Sequence, residues 1–222
     1  MVELKEAVKN RRSIRSFLDK PVKRGIIEEI LSDALWAPSW GNTQPWEIVV
    51  VSGDTLAAIK AENQRAIMAG EQSNPDIPMP AEWPEVNKER YRDVGKRTLK
   101  ALSIPREDAQ ARLDFYNRMF GLFDAPVLLL IAVDRELLLE YSMLDVGLFA
   151  QTLCLLAHER GLGTCIMAAA VHYPDKLHNL CNIPDTKRIV IGIALGWPEK
   201  ENPVNTFERA RGGLDEFVRW VE

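Results

Sequence analysis

The chain has 222 residues, 46% apolar and 27% charged, with 28 basic against 32 acidic side chains for a net charge of −4. It is long enough to bury the core of one domain, and its charge excludes a general nucleic-acid-binding surface, so a local basic cluster reads as a site. Cys154, Cys165 and Cys181 are odd in number and fit no zinc spacing, and no apolar leader precedes them, so a reducing, cytoplasmic location is expected. The longest apolar stretches meet a charge before 18 residues, so no membrane span is expected.

In chain order, residues 4–10 predict a short helix with Leu4, Ala7 and Val8 on one face. Arg11-Arg12-Ser13-Ile14-Arg15-Ser16 follows, packing three guanidinium groups and two hydroxyls into six positions. Arginine offers a planar, permanently charged fork of donors that matches a phosphate dianion. Alone, the cluster reads first as a solvated turn between helices, and the motifs that follow turn it toward a phosphate site. Ile26, Ile27, Ile30, Leu31, Ala34 and Leu35 recur at helical spacing and predict an amphipathic helix that stops before Pro38. The amide- and hydroxyl-rich stretch Ala37-Pro38-Ser39-Trp40-Gly41-Asn42-Thr43-Gln44-Pro45-Trp46 then runs into a buried strand over 48–51, and a helix from Leu56.

Between about 70 and 84 the chain changes character: Pro75, Pro78, Pro80 and Pro84 break regular structure around a lone Trp83. Helices over 88–102 and 106–119 complete an excursion at about 70–120 that reads as a lid over a site or as a plain surface loop. A buried strand is expected over 127–133 and a long central helix over 142–160, ended by Gly161 or Gly163 supplying positive φ. A third buried strand is expected over 189–195, and 214–221 alternates weakly as an exposed strand that pairs elsewhere. The whole, residues 1–222, forms a single domain.

Gly161-Leu162-Gly163-Thr164 is no dinucleotide fingerprint, because it follows a helix and lacks the third glycine. Ala168-Ala169-Ala170 suits either close approach of a flat ligand or tight packing. His158, at the end of its helix, reads as a cap, and His172 and His178 as surface residues; none has a partner at metal-ligand spacing. With no protein nucleophile or Walker loop, an enzyme of this sequence would borrow its chemistry from a cofactor. Arg209-Ala210-Arg211-Gly212-Gly213 adds two arginines that could complete a phosphate cradle with Arg11 and Arg15.

The ordered set RRSIR, APSWGNTQPW, DAPV before a strand, GLGTCIM after the long helix, ALGWPE and a terminal RxR resembles the nitroreductase family of FMN-dependent oxidoreductases, from about Leu4 to Trp220. The resemblance implies an α+β fold with a central, mostly antiparallel sheet flanked by helices, in an interlocked homodimer that exchanges C-terminal tails. It implies FMN as cofactor, NADH or NADPH as electron donor and no metal. Arg11, Arg12, Ser13 and Arg15 would hold the ribityl chain and phosphate with Arg209 and Arg211. Pro38, Ser39, Trp40, Asn42 and Gln44 would reach the flavin from the partner subunit. Ile166, Ala168 and Ala169 would lie beside the ring, with the Ala169 backbone near flavin N5, and Asn117 or Arg118 at the pyrimidine end. Ala168 stands where some members carry a glutamate.

The implied reaction passes hydride from NAD(P)H through flavin N5 to a flat, electron-poor small molecule such as a nitroaromatic or quinone, in a ping-pong cycle. No nucleic acid or membrane partner is implied. The amino-acid clamp of the deiodinase branch, a glutamate four residues before a tyrosine, is missing: the residues four before Tyr91, Tyr116, Tyr141 and Tyr173 are Asn87, Arg112, Leu137 and Ala169. Enone reduction, flavin destruction and non-catalytic flavin storage or redox sensing stay open.

Overall fold

The computed structural model describes residues 3–222. Its helices are α1 (Leu4–Asn10), α2 (Arg24–Ala34), α3 (Gly53–Met68), α4 (Glu85–Ala101), α5 (Ala109–Phe120), α6 (Leu139–Glu159), α7 (Pro174–Cys181) and α8 (Pro203–Thr206). The strands β1 (Trp46–Val51), β2 (Val127–Asp134), β3 (Gly163–Met167) and β4 (Lys187–Gly196) form one sheet in the order β1-β2-β4-β3. Every strand pair is antiparallel, as an α+β nitroreductase-like fold implies.

β2 shows why its sequence reads as an unbroken apolar run. Its alternate side chains enter two cores, Leu128 and Leu130 on one face and Val127, Leu129, Ile131 and Val133 on the other. Ile30, Phe149 and Leu153 of α2 and α6 complete the second core; Leu56, Ile59, Phe120 and Leu177 of α3, α5 and α7 complete the first. Each fully buried aliphatic side chain contributes about 1.5–3 kcal/mol, so both faces must be covered.

One expectation is resolved between its alternatives and two need correction. Gly161 does end its helix with φ +77, but Gly163 opens β3, where a Cβ would lie 2.6 Å from Cγ1 of Ile14. Its role is close approach, not positive φ. The 214–221 tail is not a strand: Leu214–Glu216 is one turn of 3-10 helix, and no regular structure follows. His172 and His178 are not surface residues: α7 buries His178, whose Nδ1 pairs with the Ile183 carbonyl at 2.9 Å, while His172 sets its ring edge against Phe120.

By length and composition α6 is apolar enough to cross a membrane, which the charge-interruption criterion did not anticipate. Here it is the central helix, one face packed on the sheet through Val146, Phe149 and Leu153. Its opposite face, Tyr141, Leu144 and Leu148, stays exposed in the single chain.

Candidate functional site

RRSIR forms an extended segment on the free edge of β3. Ser13 bridges Thr164 in parallel, and the Ile14 amide donates to the Thr164 carbonyl at 2.9 Å. Ile14 turns into the core over Gly163. Ser13 and Arg15, on either side of Ile14, line the neighbouring cleft.

Asn205 on α8 fixes this segment. It is 4% exposed; its Oδ1 accepts from the Arg15 amide at 2.7 Å, and its Nδ2 donates to the carbonyls of Ser16 at 2.7 Å and Glu199 at 2.9 Å. The Asn205 and Phe207 carbonyls in turn accept from Arg12 Nη1. Arg209 donates through both terminal nitrogens to the carbonyls of Lys9 and Arg11, at the C-terminal end of α1. Arg12 and Arg209 therefore fix the frame of the cradle, and Arg11, Arg15 and Arg211 keep more of their donors free.

These residues floor a cleft of about 860 Å³ whose walls come from α4 and the C-terminal tail. Seven arginines and three carboxylates line it, a local positive excess in an acidic protein. Arg90 pairs with Glu216 and Arg97 with Asp93. Arg11, Arg12, Arg15, Arg209 and Arg211 pair with no carboxylate among the described residues. Burial, then repulsion from Arg12, Arg211 and Arg11, pushes the Arg209 pKa down. Burial, then Arg11 and Arg209, does the same to His158, which lies in the last turn of α6. Arg11 Nε is buried with no hydrogen-bond partner among the described residues. A phosphate dianion in the cleft would take the free terminal donors of Arg11, Arg15 and Arg211 and relieve the repulsion, so the chemistry of this site fits the phosphate end of FMN.

The other expected residues lie elsewhere in the single chain, and none lines the arginine cleft. Trp40–Asn42 is a 3-10 turn beside α6, where the Trp40 amide donates to the buried Asp145 at 3.0 Å. The Gln44 amide donates to Ser39 Oγ at 2.9 Å, and Pro38, Trp40, Asn42 and Gln44 are exposed. Asn42 and Gln44 hold φ of +57 and +47, and such strained non-glycine residues cluster at functional sites. Ile166 is exposed at the end of β3, Ala168 is half-buried and Ala169 buried in the turn that follows. Asn117 lies on α5; its carbonyl accepts from Gln64 and its Oδ1 is a buried acceptor without a partner among the described residues.

Sequence reasoning missed Asn205, Arg90, Arg97 and Glu216. Asn202-Pro203, an N-cap followed by proline at the first helical position, was the available signal for α8. Nothing local marks the other three.

The family model described as Nitroreductase family matches residues 8–197. The chain belongs to the nitroreductase family. A nitrobenzene nitroreductase of Ectopseudomonas oleovorans is 34% identical over 221 residues, covering 97% of this chain and 96% of the relative. A 4-nitrobenzoate reductase of Pseudomonas putida is 33% identical, covering 96% and 93%. Among solved nitroreductase structures, the FMN- and NADPH-dependent NfnB of Sphigopyxis sp. strain HMH superposes with a TM-score of 0.95 at 30% identity, covering all of both chains. The FMN-dependent NfnB of Mycobacterium smegmatis, solved in complex with NADPH, gives 0.92 at 26% identity over 98% and 97% of the two chains.

Proposed function

We propose that this nitroreductase-family chain is an FMN-dependent oxidoreductase that takes reducing equivalents from NADH or NADPH and reduces nitroaromatic or similar flat, electron-poor acceptors. The observation that carries the reading is the cluster of five arginines, Arg11, Arg12, Arg15, Arg209 and Arg211, that lines one cleft and pairs with no carboxylate among the described residues. Relatives named for nitrobenzene and 4-nitrobenzoate reduction support the acceptor class.

FMN, when bound, supplies the redox chemistry. The chain supplies position: Arg11, Arg15 and Arg211 would hold the phosphate, while Asn205, Arg12 and Arg209 fix the segment that carries Arg11 and Arg15. The Ala168–Val171 turn presents small side chains beside the exposed Ile166, suited to the edge of a flat ring. No charged catalytic side chain stands there, so orientation and exclusion of water are the contribution of the protein. Donor and acceptor share that one face in alternation, which gives a ping-pong cycle.

The active unit is a homodimer. The exposed stripe Tyr141, Leu144 and Leu148 on α6 supports this, together with the exposed Trp36 and Trp40 that follow α2, the Trp40 ring centre lying 5.4 Å from that of Tyr141. The strained Ser39–Gln44 loop then serves the flavin of the second subunit. The 70–120 excursion forms a wall of the acceptor site, with Trp83 stacked on Tyr91 at 6.4 Å.

Anaerobic titration of FMN-loaded protein with NADPH tests the function. Bleaching of the flavin band, then reoxidation by nitrobenzoate with parallel double-reciprocal plots, is expected. A flavin that accepts no electrons from either nicotinamide would refute it in favour of storage, and FAD in place of FMN would refute the cofactor.

A further inference from the structure

The outer wall of the arginine cleft joins two segments 126 residues apart, α4 and the C-terminal turn. Arg90 on α4 donates to Glu216 at 2.6 Å and stacks its guanidinium 4.9 Å from the ring centre of Phe217. The other Glu216 oxygen accepts from the Gly213 amide at 2.7 Å. Gly212 permits the fold-back: a Cβ there would stand 2.6 Å from Phe217 and 2.7 Å from Glu216.

We infer that Gly212–Phe217 is a latch that grips Arg90 and so holds α4 as the wall of the cofactor cleft, making Arg90, Glu216 and Phe217 positioning residues for cofactor retention. The rest of α4 is weakly tied. Thr98 is its one buried residue, and Tyr91 and Val94 are exposed. Among the described residues, its other ion pairs, Arg97–Asp93, Arg92–Glu85 and Lys88–Glu85, run along the helix itself and anchor it to nothing. The Arg90–Glu216 pair is thus the ionic tie between α4 and the remainder of the chain. Both oxygens of Glu216 take part in this grip, one accepting from Arg90 and the other from the Gly213 amide. The Gly213 amide first, and Arg90 second, hold its carboxyl below the ordinary range, so it stays charged as the latch requires.

The retention half of this proposal rests on the FMN reading; the latch itself does not. Hydrogen exchange of α4 in flavin-free protein and the rate of FMN release are measured for wild type, Arg90→Glu, Glu216→Arg and the double variant. Each single variant is expected to exchange about three- to tenfold faster over residues 88–97 and to release FMN faster by a similar factor. The double variant, which restores an opposite-charge pair, returns toward wild type in both. Phe217→Leu, which removes only the exposed ring, raises exchange by a smaller factor and serves if a charge-reversed chain fails to fold. Unchanged exchange in the single variants, or a double variant no better than the worse single, would overturn the latch. If wild type binds no FMN while the exchange pattern holds, the latch stands and the cofactor reading falls.

Discussion

Replacing Asn205 with alanine should damage both the fold and the cofactor site, through hydrogen bonds that can be named in advance. The substitution removes one acceptor and two donors: it strands the Arg15 amide, while the carbonyls of Ser16 and Glu199 lose one donor each and keep the amides of Glu199 and Asn202. At about 0.5–1.5 kcal/mol for each bond, the loss is about 3 kcal/mol. In a chain of this size that lowers Tm by roughly 6–12 °C. The same change frees the backbone that carries Arg15, so FMN affinity should fall about tenfold beyond any effect of unfolding, read by fluorescence titration at a temperature where both proteins are folded. Asn205→Asp separates the contributions. It keeps the acceptor for the Arg15 amide but sets a carboxylate against two carbonyls. It should therefore be at least as destabilising as alanine at neutral pH and recover as acid protonates it. A Tm loss below about 2 °C for Asn205→Ala would refute the view that this side chain organises the site.

Arg11→Ala should weaken FMN by about ten- to a hundredfold, at roughly 1.5–3 kcal/mol for a charge-assisted bond, while the flavin-free Tm holds or rises because like-charge repulsion is relieved. Isothermal titration and a thermal melt check the two halves. Leu144→Arg, at a position 59% exposed in the single chain, should raise the dimer dissociation constant at least about a hundredfold in sedimentation equilibrium. Acid stability should depend on Glu62, whose carboxyl is held down to about 2 from 4.5 by Arg65 first and then Lys176. Because the folded value lies below the unfolded one, its contribution is complete above about pH 4.5 and lost as pH falls toward 2. Glu62→Gln should flatten the pH dependence of unfolding across that window, measured by denaturant titration.

Much of the fold was legible because local pattern and burial agree. The apolar runs of β1, β2 and β4 and the periodic stripes of α2 and α6 all appear where the sequence put them, within a few residues. β3 was hidden because its five residues follow the helix-ending Gly161 directly and open on a second glycine, a run too short to signal a strand, and the β4 ladder sets its conformation. The buried His178 was misread because α7 covers a core that the local sequence does not reveal. By itself the sequence determined the basic character of the site, with arginines clustered at 11–15 and 209–211 in a chain of net charge −4. Only the tertiary structure decided which of those arginines stay free. Arg12 and Arg209 are consumed by carbonyls nearly 200 residues away, while Arg11 keeps a buried, unsatisfied nitrogen. Such assignments depend on where the backbone carbonyls of distant segments fall, and neither residue type nor spacing records that.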